Sequence, residues 1–371
     1  MTRSSVAAVC PDQSQDFVVE NVTLDDPRAG EVQVRMVAVG VCHTDAVVRA
    51  GWIPTRFPIV LGHEGSGVVE KVGEGVHNLA VGDHVVLTVA SCGECRSCWE
   101  GEPAYCLQTY AQNFAGGRPD GSQAFTGPDG QAITSHFFGQ SSFASHANVA
   151  ARSVVKVRDD VPLDLLGPLG CGLQTGAGAV LNHLQPRPDS TLVVFGAGAV
   201  GMSAIMAARV ARVRTIVAVD LVDSRRALAL ELGATHAIDG AAADLLDQLL
   251  ELSGGGVDYA IDTTAVPAVV EGMLAALGQR GHAVLVGAAA PDAEARLPLA
   301  SALSRAITIT TVIEGSAVPP EFIPELLELY LGGEFPIDRL MQTYAFHEIN
   351  TAFADSDAGH TVKPVLIFDQ S

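Results

Sequence analysis

Four cysteines, Cys92, Cys95, Cys98 and Cys106, fall in one short stretch in the pattern C-x2-C-x2-C-x7-C. Four thiolates this close in sequence can form a complete tetrahedral shell around one ion, which is how a structural zinc is held. Gly93, Gly101 and Pro103 permit the tight turns that aim the sulfurs inward. An iron–sulfur cluster is the competing reading of such spacing. No second cysteine run or companion redox motif accompanies the four, which favours zinc.

A disulfide reading would need an oxidising compartment. The first apolar patch, residues 6–9, runs at once into Pro11, Asp12 and Asp16, so no secretory signal is read and a cytoplasmic location is expected. The apolar stretch 192–208 is short for a membrane span and carries Gly196, Gly198 and Gly201, which suit a strand, turn and helix better. A formal net charge of −20 argues against partners that are polyanions, either nucleic acid or an anionic membrane surface.

With 371 residues, the chain exceeds what one hydrophobic core usually serves, so two domains are expected. The first half reads as valine-rich strands between turn residues, at 32–39, 65–72 and 84–89. A loop-like insert rich in Gly, Pro, Asp, Ser and Gln covers 113–136. From about Thr191, strand candidates (191–195, 215–219, 236–238, 257–262, 282–286, 307–312) alternate with helical stretches (224–232, 241–252, 266–277). Such alternation implies an α/β fold with a doubly wound parallel sheet. After Ser316 the rhythm breaks into a helix at 320–331 and a last strand at 364–368. The expected division is 1–172 with 316–371 returning to it, and 173–315.

Cys42, His63 and Cys171 lie far apart, each on a glycine-flanked loop: Gly40-Val41-Cys42-His43-Thr44-Asp45, Gly62-His63-Glu64-Gly65 and Gly170-Cys171-Gly172. Two sulfurs and one imidazole leave a fourth zinc position free for water or substrate, a catalytic arrangement. Singly, each has a structural reading as a turn or core residue. Beside the four-cysteine lobe, the three read as a second metal site.

Gly196-Ala197-Gly198-Ala199-Val200-Gly201 follows the strand candidate 191–195 and opens an alanine-rich stretch, which is the context that G-x-G-x-x-G requires. The glycines let backbone amides approach a pyrophosphate at a helix N-terminus. Asp220, about twenty residues on, closes the next strand and suits the ribose hydroxyls of NAD while repelling the 2′-phosphate of NADP. Arg225 and Arg226 stand close by; either a solvated helix face or a phosphate contact accounts for them.

Together these features resemble the zinc-containing medium-chain alcohol dehydrogenase family over nearly the whole chain, with Gly62-His63-Glu64-Gly65-Ser66-Gly67-Val68-Val69 similar to its zinc signature. The resemblance implies a GroES-like β-rich catalytic domain, a Rossmann domain and a cleft between them. Two zinc ions per chain, NAD, a small alcohol or aldehyde as partner and a homodimer or homotetramer are implied as well. It assigns Cys42, His63 and Cys171 to catalytic zinc, Glu64 to an occasional ligand, Asp45 to orienting the zinc histidine, and Thr44 to the start of a proton relay. Thr175, Val286, Lys363, His43, Arg225 and Val200 fall at cofactor positions. His43 replaces a common arginine and Val47 a common histidine at the end of the relay.

Within the family, the segment His136-Phe137-Phe138-Gly139-Gln140-Ser141-Ser142-Phe143-Ala144 and Pro319-Pro320-Glu321-Phe322-Ile323-Pro324 are most similar to bacterial aryl-alcohol (benzyl alcohol) and terpene-alcohol dehydrogenases. A small Thr88, with Trp52, Phe137 and Phe138, is then expected to line an apolar substrate pocket. Zinc-dependent formaldehyde (thiol-adduct) and polyol dehydrogenases are same-fold rivals, and a non-catalytic zinc-stabilised binding protein is the rival from another class. Cys10 has no assigned role.

Overall fold

The computed structural model describes residues 2–369. The chain divides into two compact units, 1–171 with 318–326 and 341–371, and 172–317 with 327–340. The segment 327–340, expected to return to the first domain, therefore packs with the second unit; Phe335, Ile337 and Leu340 are buried there.

The first unit is β-rich. One sheet orders Ile59–Val60, Arg3–Cys10, Val18–Leu24, Phe125–Thr126 and Ala132–Ile133. The larger sheet orders Val154–Lys156, His84–Leu87, Glu64–Val72, Glu31–Gly40, Lys363–Ile367 and Met341–Ala345, with His146–Ala150 also on Glu31–Gly40. Alternate residues Val32, Val34 and Met36 point into the core, the period that a strand imposes. The chain's late strand Lys363–Ile367 pairs antiparallel with Glu31–Gly40 and closes this sheet, so the tail does return to the first unit. The strands Arg3–Cys10, Val18–Leu24 and Met341–Ala345 were not read from the sequence.

The insert 113–136 is more ordered than its composition suggests. It adds two short strands to the first sheet, and Arg118 anchors it from inside. The buried guanidinium donates to both oxygens of Glu31 (2.7 and 3.0 Å) and of Asp25 (2.9 and 3.0 Å). Removing one partner from such a buried pair costs about 3–5 kcal/mol, because an uncompensated charge remains.

The second unit holds a six-stranded sheet, parallel throughout, ordered His236–Asp239, Thr215–Asp220, Thr191–Phe195, Val257–Asp262, Leu277–Leu285 and Thr308–Thr311. Val193, Phe195, Val217, Val219, Ala260 and Ala283 form its apolar interior. The strand order reverses beside Thr191–Phe195, whose neighbours are the second strand on one side and the fourth on the other. In open α/β sheets ligands bind at this reversal, beyond the carboxyl ends of the strands. The helix expected at 241–252 starts only at Leu245, because the turn before it is held by Asp239, which accepts the Ala241 N–H at 3.0 Å. The stretch 192–208 is the tail of a strand and most of the helix Ala199–Val210. Among the described residues no helix is long and apolar enough to cross a membrane.

Candidate active site and metal centres

In the four-cysteine lobe the sulfurs face one another at 3.4 Å (Cys92–Cys106), 3.5 Å (Cys95–Cys98), 3.9 Å (Cys92–Cys98) and 3.9 Å (Cys95–Cys106). Zn–S bonds of about 2.3 Å in a tetrahedron require S···S edges of about 3.8 Å, so the shell has the size of a single zinc ion. A multi-iron cluster spreads its four thiolates over two or four irons and would hold the sulfurs on different irons wider apart. Backbone amides complete the cradle: Cys92 and Gln108 donate to Cys106 Sγ and Leu107 donates to Cys95 Sγ. Hydrogen bonds from the Leu107 and Cys98 amides bring the Cys95 thiol down to about 6, into thiolate range at neutral pH.

Elsewhere in the same unit, one ligand atom each from Cys42, His63, Glu64 and Cys171 lies within 4.8 Å of the others. Cys42 immediately precedes the short helix His43–Arg49, His63 immediately precedes the strand Glu64–Val72, and Cys171 follows a 3-10 turn at Gly167–Gly170. Glycine is needed at two of these approaches. Gly62 has φ +88°, and at Gly170 a Cβ would sit 1.8 Å from the Leu87 carbonyl oxygen.

Asp45, fully buried, joins two of the loops. Its carboxylate accepts the N–H of Cys42 at 3.1 Å and of Gly62 at 3.0 Å, and faces His63 Nδ1 at 3.0 Å. With Nδ1 committed, Nε2 of His63 is the ring atom turned toward the sulfurs, and it is buried with no hydrogen-bond partner. A buried orphan nitrogen beside two sulfurs and a carboxylate oxygen is the donor set a zinc ion completes. A hydrogen bond from Cys171, and then, against burial, the nearby His63, hold the Cys42 thiol well below its usual range.

Glu64, within reach of the other donors, is also tied to a cation. Lys363 Nζ donates to its two oxygens at 3.0 and 2.9 Å and to the Val41 carbonyl at 3.0 Å. Burial pushes the Glu64 carboxyl up to about 7 while Lys363 pulls it down. Burial works against the charge on Lys363, and Glu64 outweighs it, so the ammonium is kept protonated beyond the ordinary lysine range. Resemblance places Lys363 on the cofactor; here it is 3% exposed and bonded inside the first unit.

Thr44 Oγ1 lies 3.8 Å from Cys42 Sγ. The residues expected to line a pocket stand in three settings. Phe137 and Phe138 belong to the core, where Phe138 stacks on the His63 ring at 4.3 Å and Phe137 meets it edge-on at 5.5 Å. Thr88 is buried, its hydroxyl donating to the Gly170 carbonyl at 2.7 Å. Trp52 is 44% exposed and lines a hollow of about 260 Å³ with Ser14, His43 and Val47.

In the second unit, Gly196 has φ +91°, and a Cβ on Gly201 would meet the Gly196 carbonyl oxygen at 1.9 Å. A Cβ on Gly198 would meet nothing within 4 Å. Packing therefore demands glycine at the first and third positions, and the second leaves open space at the N-terminus of Ala199–Val210, as a pyrophosphate requires. Asp220 accepts the N–H of Ala197 at 2.6 Å and of Val222 at 2.8 Å, which fixes its carboxylate against the glycine turn. Thr175 is buried in the helix Gly172–Gly178, and the Val286 amide donates to the Asp262 carbonyl at the end of its strand.

Residues 28–159 match the alcohol dehydrogenase GroES-like domain family and residues 199–331 the zinc-binding dehydrogenase family. A geraniol dehydrogenase from Castellaniella defragrans is 46% identical over 367 residues, which is 98% of each chain. The chain belongs to the zinc-containing alcohol dehydrogenases.

Among solved structures, an alcohol dehydrogenase zinc-binding domain protein from Burkholderia ambifaria is 50% identical with a TM-score of 0.98, covering 100% of both chains. Benzyl alcohol dehydrogenase from Acinetobacter calcoaceticus is 44% identical with a TM-score of 0.96, over 99% of this chain and 100% of its own. As in this zinc alcohol dehydrogenase family generally, the chain is an oxidoreductase with a GroES-like and a Rossmann portion, and its two donor sets are compatible with two zinc sites. What sequence reading missed at the site is the Glu64–Lys363 pair and the side chain of Gln140. Lys363 is too far along the chain for any local pattern to link it to Glu64. Gln140 sits in a run, Gly139-Gln140-Ser141-Ser142, whose polar residues between phenylalanines were a usable signal.

Proposed function

We propose that this dehydrogenase oxidises primary aryl and allylic alcohols to aldehydes with NAD, at a zinc held by Cys42, His63 and Cys171, with Glu64 as an occasional fourth donor. The orphaned Nε2 of His63, buried beside the sulfurs of Cys42 and Cys171, carries this reading. Zinc in such an open site supplies Lewis acidity that lowers the pKa of a bound hydroxyl, and NAD at the glycine turn supplies the hydride acceptor. The chain's own part is to orient and to move a proton. Asp45 fixes the tautomer and tilt of His63. Thr44, beside Cys42, is the hydroxyl placed to take the substrate proton. Val47, buried and aliphatic, cannot pass it on; His43, one helical turn earlier on the same face, is exposed and shares its hollow.

The substrate class is supported by the names of the two relatives, one acting on geraniol and one on benzyl alcohol, both primary alcohols whose carbinol carbon adjoins a π-system. Initial rates with benzyl, cinnamyl, geranyl and short aliphatic alcohols test it. We expect kcat/KM for the unsaturated alcohols to exceed that for ethanol by about 10²-fold. A preference for ethanol, for a polyol, or for formaldehyde only with added thiol refutes the substrate class.

Asp220 supports NAD over NADP. In Asp220→Gly, the NAD/NADP ratio of kcat/KM should fall by about tenfold or more, the worth of a charge-assisted hydrogen bond at about 1.5–3 kcal/mol. An unchanged ratio removes Asp220 from that role. The outermost strand Thr308–Thr311, which carries exposed Ile309, supports self-association as a homodimer or homotetramer. The strong negative charge accords with a freely dissolved cytoplasmic protein.

A further inference from the structure

We propose that Gln140 is a positioning residue for the catalytic metal, its side-chain amide setting the separation of the His63 and Cys171 loops. The proposal rests on the ligand set put forward above. Gln140 is completely buried. Its Nε2 donates to the His63 carbonyl at 3.0 Å and to the Thr88 carbonyl at 3.3 Å, and its Oε1 accepts the Gly65 N–H at 3.4 Å. Thr88 Oγ1 then donates to the carbonyl of Gly170, the residue before Cys171, at 2.7 Å. Polar contacts therefore run from the backbone of His63 through Gln140 and Thr88 to the peptide that carries Cys171. Asp45 makes the corresponding link from Cys42 to His63. The three donors thus hang on one frame, with Asp45 forming one side and Gln140 the other.

The backbone around Gln140 points the same way. His136 (φ 60°), Phe138 (φ 52°) and Ser141 (φ 56°) all adopt left-handed conformations that non-glycine side chains resist. The turn is stitched to the segment leading into His63: Ser141 Oγ donates to the Val60 carbonyl at 2.6 Å, and the Ser142 and Phe143 amides donate to the carbonyls of Gly62 and Leu61. What this strained course achieves is the Phe138 ring face-on to His63 and the Gln140 amide between His63 and Thr88. A residue that merely filled the core there could be apolar. Gln140 instead satisfies two buried carbonyls, which would be left without that donor in its absence.

The test uses the purified holoenzyme, measuring zinc content, zinc release to a chelator, and the visible absorption spectrum after cobalt replaces the catalytic zinc. In Gln140→Met, one of the two zinc equivalents should leave about 10–100-fold faster, the other at the wild-type rate, with shifted cobalt bands. Thr88→Val should reproduce the fast release, whereas Thr88→Ser, which keeps the hydroxyl, should not; this pair decides the matter if Gln140→Met does not fold. Release unchanged at both sites with an unchanged spectrum overturns the proposal, as does acceleration shared equally by both sites. A wild-type enzyme holding a single zinc overturns the ligand set and the frame with it.

Discussion

Replacing Cys171 by serine is expected to lower kcat/KM for primary alcohols by about 10³-fold or more while the protein stays folded and keeps one zinc equivalent. Cys171 is one of two sulfurs beside the orphaned His63 nitrogen, and its hydrogen bond is the main influence lowering the Cys42 thiol below its usual range. A serine hydroxyl is a far poorer zinc ligand than a thiolate, so the open site loses its Lewis acid. That acid supplies several kcal/mol of charge stabilisation, and each 1.36 kcal/mol is about a factor of ten in rate. The backbone frame remains, because the Thr88 hydrogen bond goes to Gly170 and not to the sulfur. Metal analysis beside steady-state kinetics checks both halves. Full activity in a variant that retains only one zinc would refute a catalytic metal at this site.

Cys98→Ser should act on stability instead. The lobe around Cys92, Cys95, Cys98 and Cys106 has little apolar interior of its own; Trp99 and Leu107 are 76% and 75% exposed, and its one helix, Arg96–Trp99, is a single turn. A zinc ion held there would be the main force ordering this segment, as in small zinc-folded peptides, where it supplies about 10–16 kcal/mol. The variant is expected to hold one zinc, to be cut by protease within 92–106 under conditions that leave the wild type intact, and to melt several degrees lower. Wild-type protease resistance in a one-zinc variant would show that the lobe is ordered without its ion.

How much of this was legible follows from how local each signal is. The cysteine lobe and the glycine turn are contiguous motifs, and the structure places each in one tight piece of backbone. The parallel sheet was legible because buried strands are continuous apolar runs separated by amphipathic stretches. Arg3–Cys10 and Val18–Leu24 were missed because Val18 and Val19, although their strand is paired on both sides, are exposed and blur the alternation. Segment 327–340 falls in the second compact unit, although the break in rhythm after Ser316 suggests a boundary there. At the site, residue types pointed to Cys42, His63 and Cys171, whose ligand atoms the structure brings together, but not to the hydrogen bonds behind them. Asp45 was found through resemblance. The Lys363–Glu64 pair was not legible, because nothing in the neighbourhood of Lys363 reveals a carboxylate some three hundred residues earlier.

That distance gives the site a history. The ribosome has made Cys42, His63, Glu64 and Cys171 well before it reaches Lys363, an interval of about 10–40 s at about 5–20 residues per second. Until Lys363–Ile367 docks beside Glu31–Gly40, the Glu64 carboxylate lacks the Lys363 ammonium. Completion of the larger sheet is thus also the event that brings a buried cation to the carboxylate beside the sulfurs and the imidazole.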